Sequence, residues 1–168
     1  MQIKLVPPSN DYQESAIAAI RDFQAEEIQW WVDEDIHAGN FIGWVEQLKL
    51  QATHPTKDRV PSTEFWAVAD GKFVGRIAIR HELNEALKIV GGHIGYDTAP
   101  SYRRLGVASQ MLALCLPIAK KFGLSKVLLT CDDTNIASIK VIEKNGGTLS
   151  GKRQLEDGKI KRYYWISL

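Results

Sequence analysis

Arg103-Arg104-Leu105-Gly106-Val107-Ala108 places two guanidinium groups and two small residues where a strand ending Ile94-Gly95-Tyr96-Asp97 gives way to an apolar helix. The first amide N–H groups of a helix lack intrahelical acceptors and point along the positive end of its dipole, so an anion is held there. Gly106 and Ala108 keep side chains away from the backbone so that a pyrophosphate can approach, and Arg103 and Arg104 add charge-assisted donors at the rim. The run has no Lys-Ser/Thr pair, which excludes a P-loop, and it does not open the first βαβ unit of a dinucleotide fold.

These residues resemble the GNAT (general N-acetyltransferase) superfamily, whose acetyl-CoA pyrophosphate turn reads Arg/Gln-x-x-Gly-x-Gly/Ala and is matched by Arg103, Gly106 and Ala108. The resemblance continues through Lys126 to Cys131 as the next strand and Asn135-Ile136-Ala137-Ser138 opening the next helix. Glu143-Lys144-Asn145-Gly146-Gly147 is similar to the family's helix ending. It covers roughly Glu64 to Leu168, and the whole chain resembles a bacterial subgroup of predicted acetyltransferases. That subgroup carries Val60-Pro61-Ser62-Thr63, Ile79-Arg80-His81-Glu82-Leu83-Asn84 and Gly91-Gly92-His93-Ile94-Gly95-Tyr96.

The resemblance implies that acetyl-CoA is the acyl donor and lies between two splayed strands. Backbone groups of Tyr96, Asp97 and Thr98 would hold the pantetheine arm, and Arg103, Arg104, Leu105, Gly106, Val107 and Ala108 the phosphates. Asn135 and Ser138 match an element that touches the cofactor, although Asn135 is also a good helix cap. Many members carry a Tyr seven residues after that Asn to protonate the CoA thiolate, and here the position is Ile142. The proton then comes either from another group, such as Tyr163, Tyr164 or a water, or from solvent.

Acetyl transfer to an amine needs a neutral nucleophile, an oxyanion donor and a proton route. His93, at the start of the strand nearest the thioester, is the first choice of base because an imidazole with a pKa near about 6.5 suits the task. Arg80-His81-Glu82 groups three ionisable side chains at the end of the neighbouring strand, where alternation puts Arg80 and Glu82 on one face and His81 on the other. Glu82 is the second candidate base, or else an ion-pair partner of Arg80. Arg80, His81, Asn84 and Trp30 are the candidate acceptor contacts, with Asn84 also suited to fixing the following turn. Trp30, Trp31, Phe41, Trp44 and Trp66, interleaved with Glu26, Glu27, Asp33, Glu34 and Asp35, suggest an acceptor site of aromatic and acidic groups or else an ordinary core and a solvated face.

The elements that must position these groups are legible from period and punctuation. A short strand Ile3 to Val6 stops at Pro7-Pro8, and a helix capped by Asn10 or Asp11 follows. An aromatic-rich helical region then runs to about Leu50, and Gln51 to Pro61 is a loop suited to a movable cover. Phe65 to Ala69, Asp70-Gly71 and Phe73 to Arg80 form a hairpin, His93 to Asp97 a strand, and Leu105 to Phe122 a helix whose apolar stripe continues through Pro117. Val127 to Cys131, Asn135 to Lys144 and a final hairpin about Asp157-Gly158 complete an α/β (α+β mixed) GNAT fold. It comprises a central mixed, mostly antiparallel sheet of about six or seven strands flanked by about four helices.

A chain of 168 residues with net charge +1 is expected to be one domain, residues 1–168, with no basic arm for nucleic acid and no membrane span. Cys115 and Cys131 give neither a metal spacing nor a disulfide framework, so no metal is expected. The expected enzyme is a cytoplasmic N-acetyltransferase acting on a primary amine of a small molecule or peptide by direct attack. The alternatives are another acyl group, or an acyl-CoA-binding or sensing module without catalysis. The acceptor is not legible, and the terminal strands leave a homodimer open.

Overall fold

A computed structural model of the protein describes residues 1–26 and 39–168. Strands β1 (Lys4–Val6), β2 (Ser62–Ala69), β3 (Lys72–Arg80) and β4 (Ile94–Thr98) form one antiparallel sheet in that order. Strands β5 (Lys126–Asp132), β6 (Thr148–Gln154) and β7 (Ile160–Ser167) form a second, ordered β5-β7-β6. Among the described residues the helices are α1 (Gln13–Ala25), α2 (Phe41–Leu50), α3 (Glu85–Ile89), α4 (Val107–Lys121) and α5 (Ile136–Lys144), with a 3₁₀ turn at Pro100–Tyr102. The mixed α/β architecture is the one expected, with the seven strands of the described residues divided between two sheets.

The β2–β3 hairpin turns on Asp70 and Gly71, both at positive φ (49° and 74°), the twist that a tight hairpin requires. Ser9, rather than Asn10 or Asp11, caps the turn before α1, because its hydroxyl accepts the Asp11 amide at 3.2 Å. Asn84 caps α3 by accepting from the Leu87 amide at 2.9 Å, and so fixes the turn that follows it. Pro117 sits inside α4 without ending it, since the buried stripe Val107, Met111, Cys115 and Ala119 holds the helix against the first sheet.

Each face of the first sheet has its own core. Ala67, Ile77, Ile79 and Ile94 pack with α4, α5 and the inner face of the second sheet, including Leu129, Tyr164 and Ile166. On the opposite face Trp66 and Phe73 pack with α1 and α2 through Phe23, Phe41 and Trp44, with Trp66–Phe73 ring centroids 5.2 Å apart. The five aromatics Phe23, Phe41, Trp44, Trp66 and Phe73 are therefore core. Trp30, with Trp31, Glu27, Asp33, Glu34 and Asp35, lies outside the described residues.

Among the described residues, backbone hydrogen bonds link the two sheets at one place. Gly92 bridges to Leu129, the His93 amide donates to the Leu128 carbonyl at 2.7 Å, and the Gly91 amide donates to Thr130 Oγ1 at 2.9 Å. Gly92 has φ 65°, and a Cβ there would stand 2.3 Å from the Leu128 carbonyl oxygen. Gly92→Ala therefore forces strain and a backbone shift at the junction, with an expected loss of about 2–4 kcal/mol read from denaturant unfolding. An unchanged midpoint would show that the junction does not hold the sheets together.

Candidate functional site

β4 ends one sheet and β5 the other, and beyond the Gly92–Leu129 bridge and the His93–Leu128 hydrogen bond no ladder joins them among the described residues. The facing edges therefore carry backbone donors and acceptors that no neighbouring strand satisfies. Tyr96 of β4 packs against the main core with its hydroxyl 3.5 Å from the Ser138 carbonyl, and burial pushes its pKa up to about 12. Thr98 Oγ1, at the far end of β4, is buried without a hydrogen-bond partner among the described residues. A buried hydroxyl without a partner costs stability unless a ligand satisfies it.

The open end of the gap leads to the turn before α4. Arg104 (φ 62°) and Gly106 (φ 78°) both adopt the left-handed conformation, and Gly106 caps α4 with no side chain over the first amides. Alternation of left-handed and ordinary backbone in this way points successive N–H groups into one concavity, an anion nest at the positive end of a helix. Arg104, Leu105 and Gly106 are exposed there, while Val107 is buried and Ala108 partly buried against the core. Arg103 is turned toward α1, where it pairs with Glu26 at 2.8 Å and lies over the Phe23 ring. Asn135 accepts the Ser138 amide at 3.0 Å and so caps α5, and Ile142 is buried in the core.

At the closed end, the residues suggested for proton transfer hold the junction between the sheets. His93 is 7% exposed and its Nδ1 accepts the Leu128 amide at 2.9 Å, which puts the ring proton on Nε2. Burial and the nearby Arg80 charge both lower its pKa, so the ring is neutral and able to donate from Nε2 while its lone pair is already engaged. The Tyr163 hydroxyl donates to the Ile89 carbonyl at 2.9 Å, tying β7 to the end of α3. Arg80 donates from Nη1 to the carbonyls of Gly91 (3.3 Å) and Gly92 (3.0 Å). His81 takes the opposite face, as alternation requires, with Nε2 2.9 Å from Thr63 Oγ1 and its ring against Phe122. Glu82 is exposed and forms no ion pair with Arg80.

Sequence reasoning missed the polar group on the first sheet's second face. Register puts Trp66, Arg76 and Asp97 side by side across β2, β3 and β4. Glu64, 8% exposed, accepts from Arg76 at 2.9 Å and from Trp66 Nε1 at 3.0 Å, and Asp97 Oδ2 accepts from Arg76 Nε at 3.0 Å. The available signal is a charged residue inside each of two apolar strands, and only register makes them partners. A groove of about 430 Å³ on the outer face of the second sheet, lined by Leu83, Lys88, Leu128, Ser150, Tyr163 and Trp165, was equally unmarked.

Among the described residues no cluster of His, Cys, Asp and Glu is arranged to hold a metal ion, and no helix is long and apolar enough to cross a membrane.

The family model described as an acetyltransferase (GNAT) domain matches residues 2–148. No curated protein matches the sequence. Among solved structures, the microcin C7 self-immunity acetyltransferase MccE in complex with acetyl-CoA and AMP superposes with a TM-score of 0.73 at 16% identity, covering 99% of this chain and 93% of its own. Mycobacterium smegmatis RimJ in complex with CoA-disulfide gives 0.71 at 21% identity, covering 98% and 81%. A Salmonella typhimurium acetyltransferase that modifies the N-terminal serine of a 50S ribosomal subunit protein gives 0.69 at 17%, covering 100% and 96%. With the family model spanning most of its length, the chain belongs to the GNAT acetyltransferases.

Proposed function

We propose that the protein is an acetyl-CoA-dependent N-acetyltransferase, acting in the cytoplasm of a bacterium on a primary amine held together with the donor in a ternary complex. The carrying observation is the gap between β4 and β5, whose facing edges are unpaired and whose open end meets the left-handed turn at Arg104 and Gly106. The edges and the unpartnered Thr98 hydroxyl suit the amides of a pantetheine arm, and the turn suits its pyrophosphate. MccE and RimJ, bound to acetyl-CoA and to CoA-disulfide in their structures, support the same assignment.

Bound acetyl-CoA supplies a thioester whose carbonyl carbon is attacked by the neutral amine: the N–C bond forms, the C–S bond breaks, nitrogen loses a proton and the thiolate gains one. Tyr96, Asp97 and Thr98 orient the donor through their backbone groups, and the turn from Arg103 to Ala108 holds the phosphates. His93, with its proton on Nε2, serves as a donor toward the developing oxyanion in preference to the base expected from its type alone. Burial raises the pKa of both cysteine thiols, Cys115 to about 12, which favours direct attack over an acyl-cysteine route.

Calorimetric titration with acetyl-CoA tests the reading. Binding in the micromolar range is expected, and Gly106→Val, which forces a β-branched residue into a left-handed turn, should weaken it roughly tenfold or more. Arg103→Ala should weaken it by a smaller factor, because the guanidinium must first leave Glu26. Failure of the intact protein to bind acetyl-CoA would overturn the assignment.

The placement of His93 has its own signature. Its folded pKa lies below the unfolded value of about 6.5, so the unfolded chain binds the extra proton and stability falls as pH drops below that value. His81, also lowered by burial, acts with the same sign. His93→Asn, which keeps an acceptor for the Leu128 amide, should lose less thermal stability than the intact protein between pH 7.5 and 5.5. Equal losses would mean that His93 titrates freely.

A further inference from the structure

Arg80 is half-buried and carries a charge that nothing in the described residues balances. Its Nη1 is spent on the Gly91 and Gly92 carbonyls, while among the described residues Nε and Nη2 have no acceptor and no carboxylate lies within ion-pair distance. The neighbouring charges, Arg76 and Arg59, are of the same sign and add to the cost of burial. Arg76 differs, being flanked by Glu64 at 2.9 Å and Asp97 at 3.0 Å. A guanidinium removed from water without a counter-charge is unfavourable, and its free edge has the fork geometry that fits a carboxylate.

The position of this free edge narrows the ligand. The Arg80 guanidinium lies over Gly95 of β4, where a Cβ would stand 3.7 Å from both Nη1 and Nη2. Gly95 is at the His93 end of the strand, whereas the phosphate turn follows the Thr98 end, so the phosphates of a bound CoA are not its partner. Two residues along the same face stands Asp97, about 7 Å away by strand geometry. Its Oδ2 is held by Arg76, and its Oδ1 has no donor among the described residues. One face of the edge strand beside the gap is thus overlain by a positive group from β3 and, two residues on, carries a negative one of its own.

We propose that Arg80 binds a carboxylate of the acceptor, so that the acceptor is an amino acid or similar amine whose carboxylate lies a few bonds from its nitrogen. The carboxylate pairs with Nε and Nη2 of Arg80, and the ammonium of the incoming substrate is drawn toward Asp97 Oδ1 before it loses its proton. This assignment rests on the acetyltransferase reading above and specifies its substrate class.

The test is thiol release from acetyl-CoA with matched acceptors: L-amino acids, their carboxamides and the corresponding decarboxylated amines. The acids should exceed their amides in kcat/KM by roughly tenfold or more, through KM, as a charge-assisted bidentate pair would give. Arg80→Lys should bring that ratio close to one with acetyl-CoA affinity retained. Equal use of acids and amides would overturn the proposal. So would an Arg80→Lys variant that loses both equally along with thermal stability, the result expected of a purely structural clasp. An Arg80-dependent preference for succinyl-CoA over acetyl-CoA would place the carboxylate on the acyl donor and overturn it as well. If acetyl-CoA binds but no acceptor releases thiol, calorimetry of the acid and amide series on CoA-saturated protein decides it, and absence of acid-selective binding overturns it. Failure to bind acetyl-CoA at all is a separate outcome that removes the acetyltransferase reading, and the same acid and amide titrations on the protein alone still judge Arg80.

Discussion

Two strands that lie near each other but do not pair impose the central constraint on this molecule. A sheet edge has backbone donors and acceptors that must find partners, and here the edges of β4 and β5 face one another across a gap. Contact at Gly92, His93 and Leu128 closes one end. The left-handed turn before α4 finishes the other. The rest of the architecture packs around that gap: α4 and α5 lie on one face, and the polar clasp of Arg80, Thr130 and Tyr163 binds the closed end.

Local features with strong stereochemistry were legible in the sequence. Asp70-Gly71, the helix expected over Leu105 to Phe122 and found over Val107–Lys121, and the glycine at position 106 follow from backbone preferences that need no knowledge of distant contacts. The side chains singled out for proton transfer were less transparent, because residue type says nothing about which lone pair is already engaged. His93 is a base by composition, yet by its contacts it is an acceptor for the Leu128 amide. Tyr163 likewise has its hydroxyl proton directed at a backbone carbonyl. Such facts depend on the junction between sheets, which joins residues 35 or more positions apart and leaves no periodic trace.

The Arg76 cluster illustrates the same limit from the other side. Glu64 and Arg76 are charged residues inside strands that are mostly apolar, and by themselves they read as solvent-facing positions. Antiparallel register converts them into a shared buried network with Trp66 and Asp97, so the first sheet's second face is apolar at Phe41, Trp44 and Phe73 and ionic toward its edge. An interior ion pair of this sort contributes little net stability, but breaking it is expensive, and it fixes which carboxylate oxygen of Asp97 is left unengaged.

The order β5-β7-β6 has a consequence for how the chain is made. β7 is the middle strand of its sheet although it follows both neighbours in sequence, so β5 and β6 have nothing to pair with until residues Ile160–Ser167 arrive. During synthesis β5 is therefore exposed along both edges while the first sheet, α4 and α5 are already available to collapse. One of those edges is later covered by β7, and the other is the wall of the gap. A nascent chain of this fold must carry that bare strand past other polypeptides, and β7 shelters one side of it only at the end of the described chain.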